Sequence, residues 1–355
     1  FHRKFYHPSN FYIYLYGNGD IEKQLSFIDE NYLSDFDKSP IDSSIEFQKP
    51  FKNKNYLEAY YPIGDDEDES NKDYLSLNFV LGENKDPKIF LMSAILTQLL
   101  IEFPSAPLKK ALLDEGIGED IFPVSAGGLQ VGFGIASKNT SIDKKEQFEG
   151  IIFETLNHFI ENGIDRELIE ACINIVEYNL REASRFPTKG IIYNIQSLDS
   201  WLYDGGPTDL LQYEKPLNHI KANVDTGYFE NFIKKHIIDN SHSSLVVIRP
   251  KKGLNEEKDK ALKDRLTQYK SSLGKSQLEN LIAENNALRG MQTSDDTPEA
   301  KATIPKLSIS DVKPDAEIIP QEIIKDGEAT LLFHDIFTSK IAYLDLYFDV
   351  NVVDE

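Results

Sequence analysis

Two imidazoles one helical turn apart, with a carboxylate between them, would hold zinc and take a proton from its bound water. The seven histidines of this 355-residue chain stand at positions 2, 7, 158, 219, 236, 242 and 334, and no two are four apart. His158-Phe-Ile-Glu161-Asn162 comes nearest, but Asn162 stands where the second imidazole would be. That run reads as a histidine on a helix face beside an exposed carboxylate. His2 and His7 flank a turn and a helix end and read as capping or surface groups. Asp199 and Asp204 bracket Trp201. Their spacing of five misses a shared helix face, and solvation at a helix end accounts for both. Cys172 has no disulfide partner and falls on an apolar helical stripe, which predicts a buried, inert thiol. Ser125-Ala-Gly-Gly128 and Gly132-x-Gly134 lie before and within a strand. There glycine marks a bulge or a close backbone approach rather than a phosphate cradle. No G-x-S-x-G elbow and no Walker sequence occurs. The residues thus nominate no catalytic group and no metal ligand, and they leave the substrate-binding residues open.

Charge narrows the partners. A net charge of −21 argues against nucleic acid, which needs a basic face, and against anionic membranes. It suits cationic or unstructured peptides. No run of 18 apolar residues occurs, so no membrane insertion is expected. The first residues are not a signal peptide. They look internal to a longer chain, so the compartment is not readable. A soluble protein of a reducing compartment or an organelle lumen is the expectation.

The elements that must position these groups alternate between helix and strand. Phe1–Tyr6 ends a helix, and Phe11–Tyr16 predicts a strand of aromatic and β-branched residues. A helix over about 21–33 follows, then a polar, proline-bearing linker at 37–50. Strands are expected at 57–62 and 74–82, the second with Leu75, Leu77, Phe79 and Leu81 on one face. Residues 89–103 are apolar almost all round, which predicts a deeply buried helix. Ser105 caps a shorter helix ended by Gly116, and Leu129–Ala136 alternates as a strand. Asp143 with Glu146 resembles a capping box for a helix that Gly163 stops. The next helix carries Leu168, Cys172, Ile175, Val176 and Leu180.

Within Arg185–Ile220, Pro187 suits a first helical position. Ile191, Ile195, Leu198 and Leu202 recur on one face, and Gly205-Gly206-Pro207 ends the helix at about 204. A helix over about 227–238 and a strand at 245–248 complete the domain. Residues 251–292 predict a helical hairpin, 293–322 little structure, and 329–334 and 341–350 strands.

Two pairs of segments are alike. FHRKFYHPSNFYIYLYG at the start resembles FIKKHIIDNSHSSLVVIRP at 232–250, and YLSLNFV at 74–80 resembles YLDLYFD at 343–349. The first pair marks domain ends and the second domain beginnings. One complete domain therefore spans 51–250, an α+β sandwich with helices on one face of a mostly antiparallel sheet. The tail of a preceding copy occupies 1–36, and the head of a following copy 304–355.

Several runs carry a resemblance: YHPSN at 6–10, APLKKALLDEGIGEDI at 106–121 and LIEACINIVEYNLREAS at 168–184. FP-x-x-G at 186–190, SLDSWLYDG at 197–205, L-x-x-Y-x-x-PL-x-x-I at 210–220 and LFHDIFTSKIAY at 332–343 extend it. The chain resembles the presequence-protease and falcilysin branch of the pitrilysin (insulinase-like) zinc metallopeptidases, along nearly all its length. That family is built from four such repeats in two halves joined by a helical hairpin. The resemblance makes 51–250 the second, non-catalytic repeat, 251–303 the hairpin and 304–355 the opening of the third repeat. It places the zinc helix, His-x-x-Glu-His, in the first repeat, and an Arg and a Tyr for the tetrahedral intermediate in the fourth. None of these maps onto this chain. The resemblance implies the central fragment of a zinc metalloendopeptidase that degrades unfolded peptides in a closed chamber, with the remaining repeats of the same polypeptide as partners. Zinc belongs to the parent and none is expected on this piece, which alone is expected to be inactive. The alternative is a non-catalytic peptide-binding or scaffold subunit of the same superfamily. A coiled-coil scaffold built on 251–292 is the weaker third reading.

Overall fold

The computed structural model describes residues 1–183, 188–312, 314–315, 318–327 and 329–348. The chain divides into two compact units, one made of residues 1–61, 66–251 and 339 onward, the other of 62–65 and 252–338.

In the first unit the short helix α1 (His2–Phe5) and α2 (Ile21–Asn31) precede strands β1 (Asn55–Pro62) and β2 (Asp73–Glu83). Helices α3 (Pro87–Thr97) and α4 (Pro107–Asp114) follow, then strands β3 (Asp120–Ala126) and β4 (Gln130–Thr140). Helices α5 (Lys145–Asn162), α6 (Arg166–Glu182), α7 (Lys189–Trp201), α8 (Glu214–Lys221) and α9 (Tyr228–Ile233) lead to strand β5 (Ser243–Lys251). The sheet runs β1-β5-β2-β4-β3. β2 pairs antiparallel with both β4 and β5, and β3 antiparallel with β4. The fold is α+β, with helices covering one face of the sheet.

The alternation read on β2 is the core face. Leu75, Leu77, Phe79 and Leu81 are all buried, with Leu77 opposite Ile135 on one side and Leu245 on the other. Between Phe103 and Ser105 only a turn intervenes, and the short helix starts at Pro107 with Ala106 as its cap residue, not Ser105. α3 is buried on most sides, as its composition predicts. Asp86 caps it by accepting from the main-chain N–H of Lys88 at 2.9 Å, and it continues into a π-helical turn at Gln98–Glu102. The stretch Pro87–Asp114 does hold an 18-residue window apolar enough to cross a membrane by length and composition. Half of that window is buried inside the protein, so the core accounts for its apolarity.

The structure departs from the sequence reading in several places. Residues 11–16 belong to no strand. A ladder needs a neighbouring strand, and this segment instead lies against α7: Tyr12 meets Trp201 edge-on, and Tyr16 meets Tyr193. Residues 341–348 likewise form no strand, and 349–350 lie outside the described residues. The expected capping box at Asp143 is absent. Ser141 caps a short 3₁₀ turn there instead, accepting from the N–H of Asp143. Pro187, read as the start of the signature helix, lies outside the described residues, and the helix is described from Lys189. Its apolar stripe does not face the core. Ile191, Ile195 and Leu202 are exposed, while Ser197 and Ser200 are buried. The serines can face inward because each donates to a carbonyl, Tyr193 O at 2.8 Å and Gly206 O at 2.9 Å.

The second unit holds helices α10 (Leu254–Ser272) and α11 (Lys275–Thr293), joined at Leu273–Gly274, the short helix α12 (Pro298–Ala302), and strands β6 (Glu322–Asp326) and β7 (Ala329–Phe333). The main-chain N–H of Gly274 donates to Gln277 Oε1, which starts α11. β6 and β7 form an antiparallel pair with Ile324 opposite Leu331.

Candidate functional site

The first unit contains a cavity of about 610 Å³. Four elements wall it, and each arrives for a local reason. α3 contributes Phe90 and Ala94, which also pack against the core, with Gln98 from the π-helical turn that continues it. α6 contributes Val176, Asn179 and Leu180 from its last two turns. The helix starts at Asp165, whose carboxylate accepts from the N–H of Glu167, and ends at Ala183, held at φ +51°. The β3–β4 hairpin contributes Ala126, Gly127, Val131 and Gly132. α7 closes the ring with Ile192, Ile195 and Asp199.

The hairpin explains the glycines that resemble a phosphate loop. Gly127 and Gly128 are the turn between β3 and β4, and Gly128 has φ +146°, open to glycine at no cost. A Cβ on Gly132 would stand 2.8 Å from that of Ala126, and one on Gly134 would stand 2.3 Å from Asn78 Oδ1. These glycines permit close approach between strands. The β3 strand itself escapes sequence reading, because Pro123 interrupts a run with no clean alternation.

Electrostatics at the cavity are one-sided. Glu102 and Asp199 line it, and no Lys, Arg or His does so among the described residues. Asp199 is partly buried within α7 rather than freely solvated past a helix end, as its position in the sequence suggests. It faces the cavity, and burial raises its carboxyl above the ordinary range. The amide of Asn84 donates to its main-chain carbonyl at 2.7 Å. Asp204, by contrast, sits past the helix end with φ +64°. Cys172 is fully buried, and burial pushes its thiol up to about 11, so it stays protonated and unreactive.

Each histidine is occupied locally. The ring of His158 meets Asn162 Nδ2 at 3.1 Å on exposed α5, and that amide also bonds the His158 carbonyl. His2 stacks on Tyr6, and His7 Nδ1 accepts from the N–H of Ser9. His219 packs edge-on against Tyr228. His236 stacks on Phe232 and donates to the Leu81 carbonyl at 2.7 Å, while burial lowers its pKa. His242 packs against Phe51, and burial lowers its pKa as well. His334 donates to the Pro320 carbonyl at 3.0 Å. No group of three His, Cys, Asp or Glu side chains that could hold a metal occurs among the described residues. These residues do not fit a zinc site.

Comparison with known proteins gives these features their setting. A family profile described as Peptidase M16 inactive domain matches residues 1–176, and a second, for the region associated with subfamily C of the M16 peptidases, matches 248–355. Protein HypA of Clostridium perfringens is 43% identical over 358 residues, covering 100% of this chain and 37% of that protein. Presequence protease 1 of Arabidopsis thaliana is 34% identical over 366 residues, covering 99% of this chain and 33% of that one. The chain therefore spans about a third of the length of these curated relatives. A protease structure from Helicobacter pylori shares the fold, with TM-score 0.50 and 12% identity over 66% of this chain and 53% of that one. Two peptidase profiles at either end and full-length alignment to presequence proteases lead to one assignment: this chain belongs to the M16 (pitrilysin-like) metallopeptidase family, in its presequence-protease branch.

Proposed function

We propose that this chain is the non-catalytic middle of a zinc metalloendopeptidase acting on unfolded peptides, and that it forms part of the wall of the peptide chamber. Peptidases of this family are zinc-dependent, and the metal would be held elsewhere in a longer polypeptide. One observation carries the reading. The chain aligns over its whole length with presequence proteases, yet no two of its histidines lie a helical turn apart. In this reading residues 1–36 end a preceding repeat, 51–250 form the second repeat, 251–303 link it onward and 304–355 open a third. The likeness of 1–17 to 232–250 supports that division, since the second copy folds as the end of α9, a π-helical turn at Lys234–Ile238 and then β5, a strand with neighbours on both sides. The charge of −21 favours basic peptides among the substrates.

The test is peptide hydrolysis with bound zinc counted in the same sample, on this chain and on a longer polypeptide containing it. The longer protein should cleave, and the 355-residue chain should neither cleave nor retain zinc. Zinc-dependent turnover by this chain alone would overturn the proposal. An inactive longer protein that still binds peptide would favour the second reading, a peptide-binding scaffold subunit. The description of the matching profile as an inactive domain supports that alternative.

A further inference from the structure

We propose that the cavity between α3, α6, α7 and the β3–β4 hairpin is a peptide subsite that takes a large apolar side chain flanked by Lys or Arg. The inference rests on the peptide-chamber reading and adds to it a place and a side-chain preference.

Size comes first. About 610 Å³ falls within the roughly 300–1,000 Å³ of small-ligand sites, with room for more than one side chain. Its walls are mostly apolar, and the apolar surface continues outward. Ile192 and Ile195 line the cavity yet remain 40% and 54% exposed. The polar side of α7 is turned inward and satisfied by Ser197 and Ser200, so the helix presents its apolar stripe outward by construction. A ligand that covers Ile192 and Ile195 removes that surface from water.

Charge selects the occupant. Two carboxylates, Glu102 and Asp199, line the space, and no cation among the described residues neutralises them there. Glu102 accepts from the Gln98 amide, a neutral group that leaves its charge in place. An acidic or purely apolar peptide would leave the two carboxylates uncompensated, whereas a basic residue beside the apolar one answers both features.

The experiment is fluorescence anisotropy on this chain with three dye-labelled nonapeptides. The first carries leucine–arginine pairs spaced by serine and glycine. The second has serine for leucine, and the third glutamate for arginine. The first should bind about tenfold tighter than either counterpart. Ile195→Ser, an exposed position where folding is undisturbed, should weaken the first peptide by about fivefold, as should Asp199→Asn. Ala94→Trp should remove the preference by filling the space. If the chain binds all three peptides alike, or if Ile195→Ser and Asp199→Asn leave the first peptide unchanged, the subsite is wrong while the chamber reading stands. If the chain binds none of them, the chamber reading falls and the subsite falls with it.

Discussion

The side-chain amide of Asn84 donates to the main-chain carbonyl of Asp199 at 2.7 Å, across 115 residues of sequence. Asn84 is 3% exposed, and its own main-chain N–H donates to the Leu129 carbonyl at 3.1 Å. One residue just past β2 thus ties α7 to the β3–β4 hairpin, two walls of the cavity. Asn84→Ala should cost about 1–3 kcal/mol, the usual penalty for a buried hydrogen bond left half-made. Urea unfolding would measure it, and a loss under about half a kcal/mol would mean the bond is dispensable.

Asp199 offers a pH signature. Its carboxyl is raised by burial in the folded chain, so ionisation is harder folded than unfolded. Below the unfolded value both states are neutral and nothing is lost. As pH rises through the raised folded value, stability falls. Asp199→Asn should therefore raise the melting temperature at pH 7, and the gain should vanish below about pH 4. A gain that persists unchanged at low pH would point to packing instead.

Glu177 titrates the other way. Burial alone would raise it, but Lys221 and Arg181 outweigh that and hold it below its ordinary value. The stability it supplies is present above the unfolded value and lost as pH falls through the lowered folded one. Glu177→Gln should destabilise the chain at pH 7, and the difference from wild type should close in acid as pH falls through the lowered folded value. Paired acid-unfolding curves would check this, with parallel curves as the contrary result.

Asp73 links β2 to its neighbours on both sides. Its Oδ2 accepts from the N–H of Ile142 at 2.7 Å, and its Oδ1 lies 3.6 Å from Arg249 Nε. Arg249 in turn reaches Glu58 Oε1 on β1 at 3.4 Å. Asp73→Ala strips the N–H and leaves the guanidinium half-paired, with an expected cost of about 2–4 kcal/mol. Asp73→Asn should recover part of it. Chemical denaturation of both variants decides, and equal losses would show that charge rather than the N–H bond matters.

Much of the fold was legible where one force decided the pattern. β2 was plain because one face is core and the other is not, so Leu75, Leu77, Phe79 and Leu81 alternate. α3 was plain because nearly every side is buried. α7 shows the limit. Its apolar period is real, but period does not say which face turns inward, and Ser197 and Ser200 win the core with hydrogen bonds to nearby carbonyls. The segment 11–16 has strand composition and no strand, because composition cannot supply a neighbour. The cavity was invisible for a related reason. Ala94, Leu180, Ile192 and Gly127 come from four elements that only tertiary packing brings together. The one available signal was Asp199, the only carboxylate of α7.

β3 is the outer strand of its sheet, with β4 on one side and no strand on the other among the described residues. Pro123 sits at its centre, opposite Ile135. A proline has no N–H to give an approaching chain, so any added ladder breaks there after a few residues. Copies of this protein meeting edge to edge cannot zip into a continuous ladder along that border.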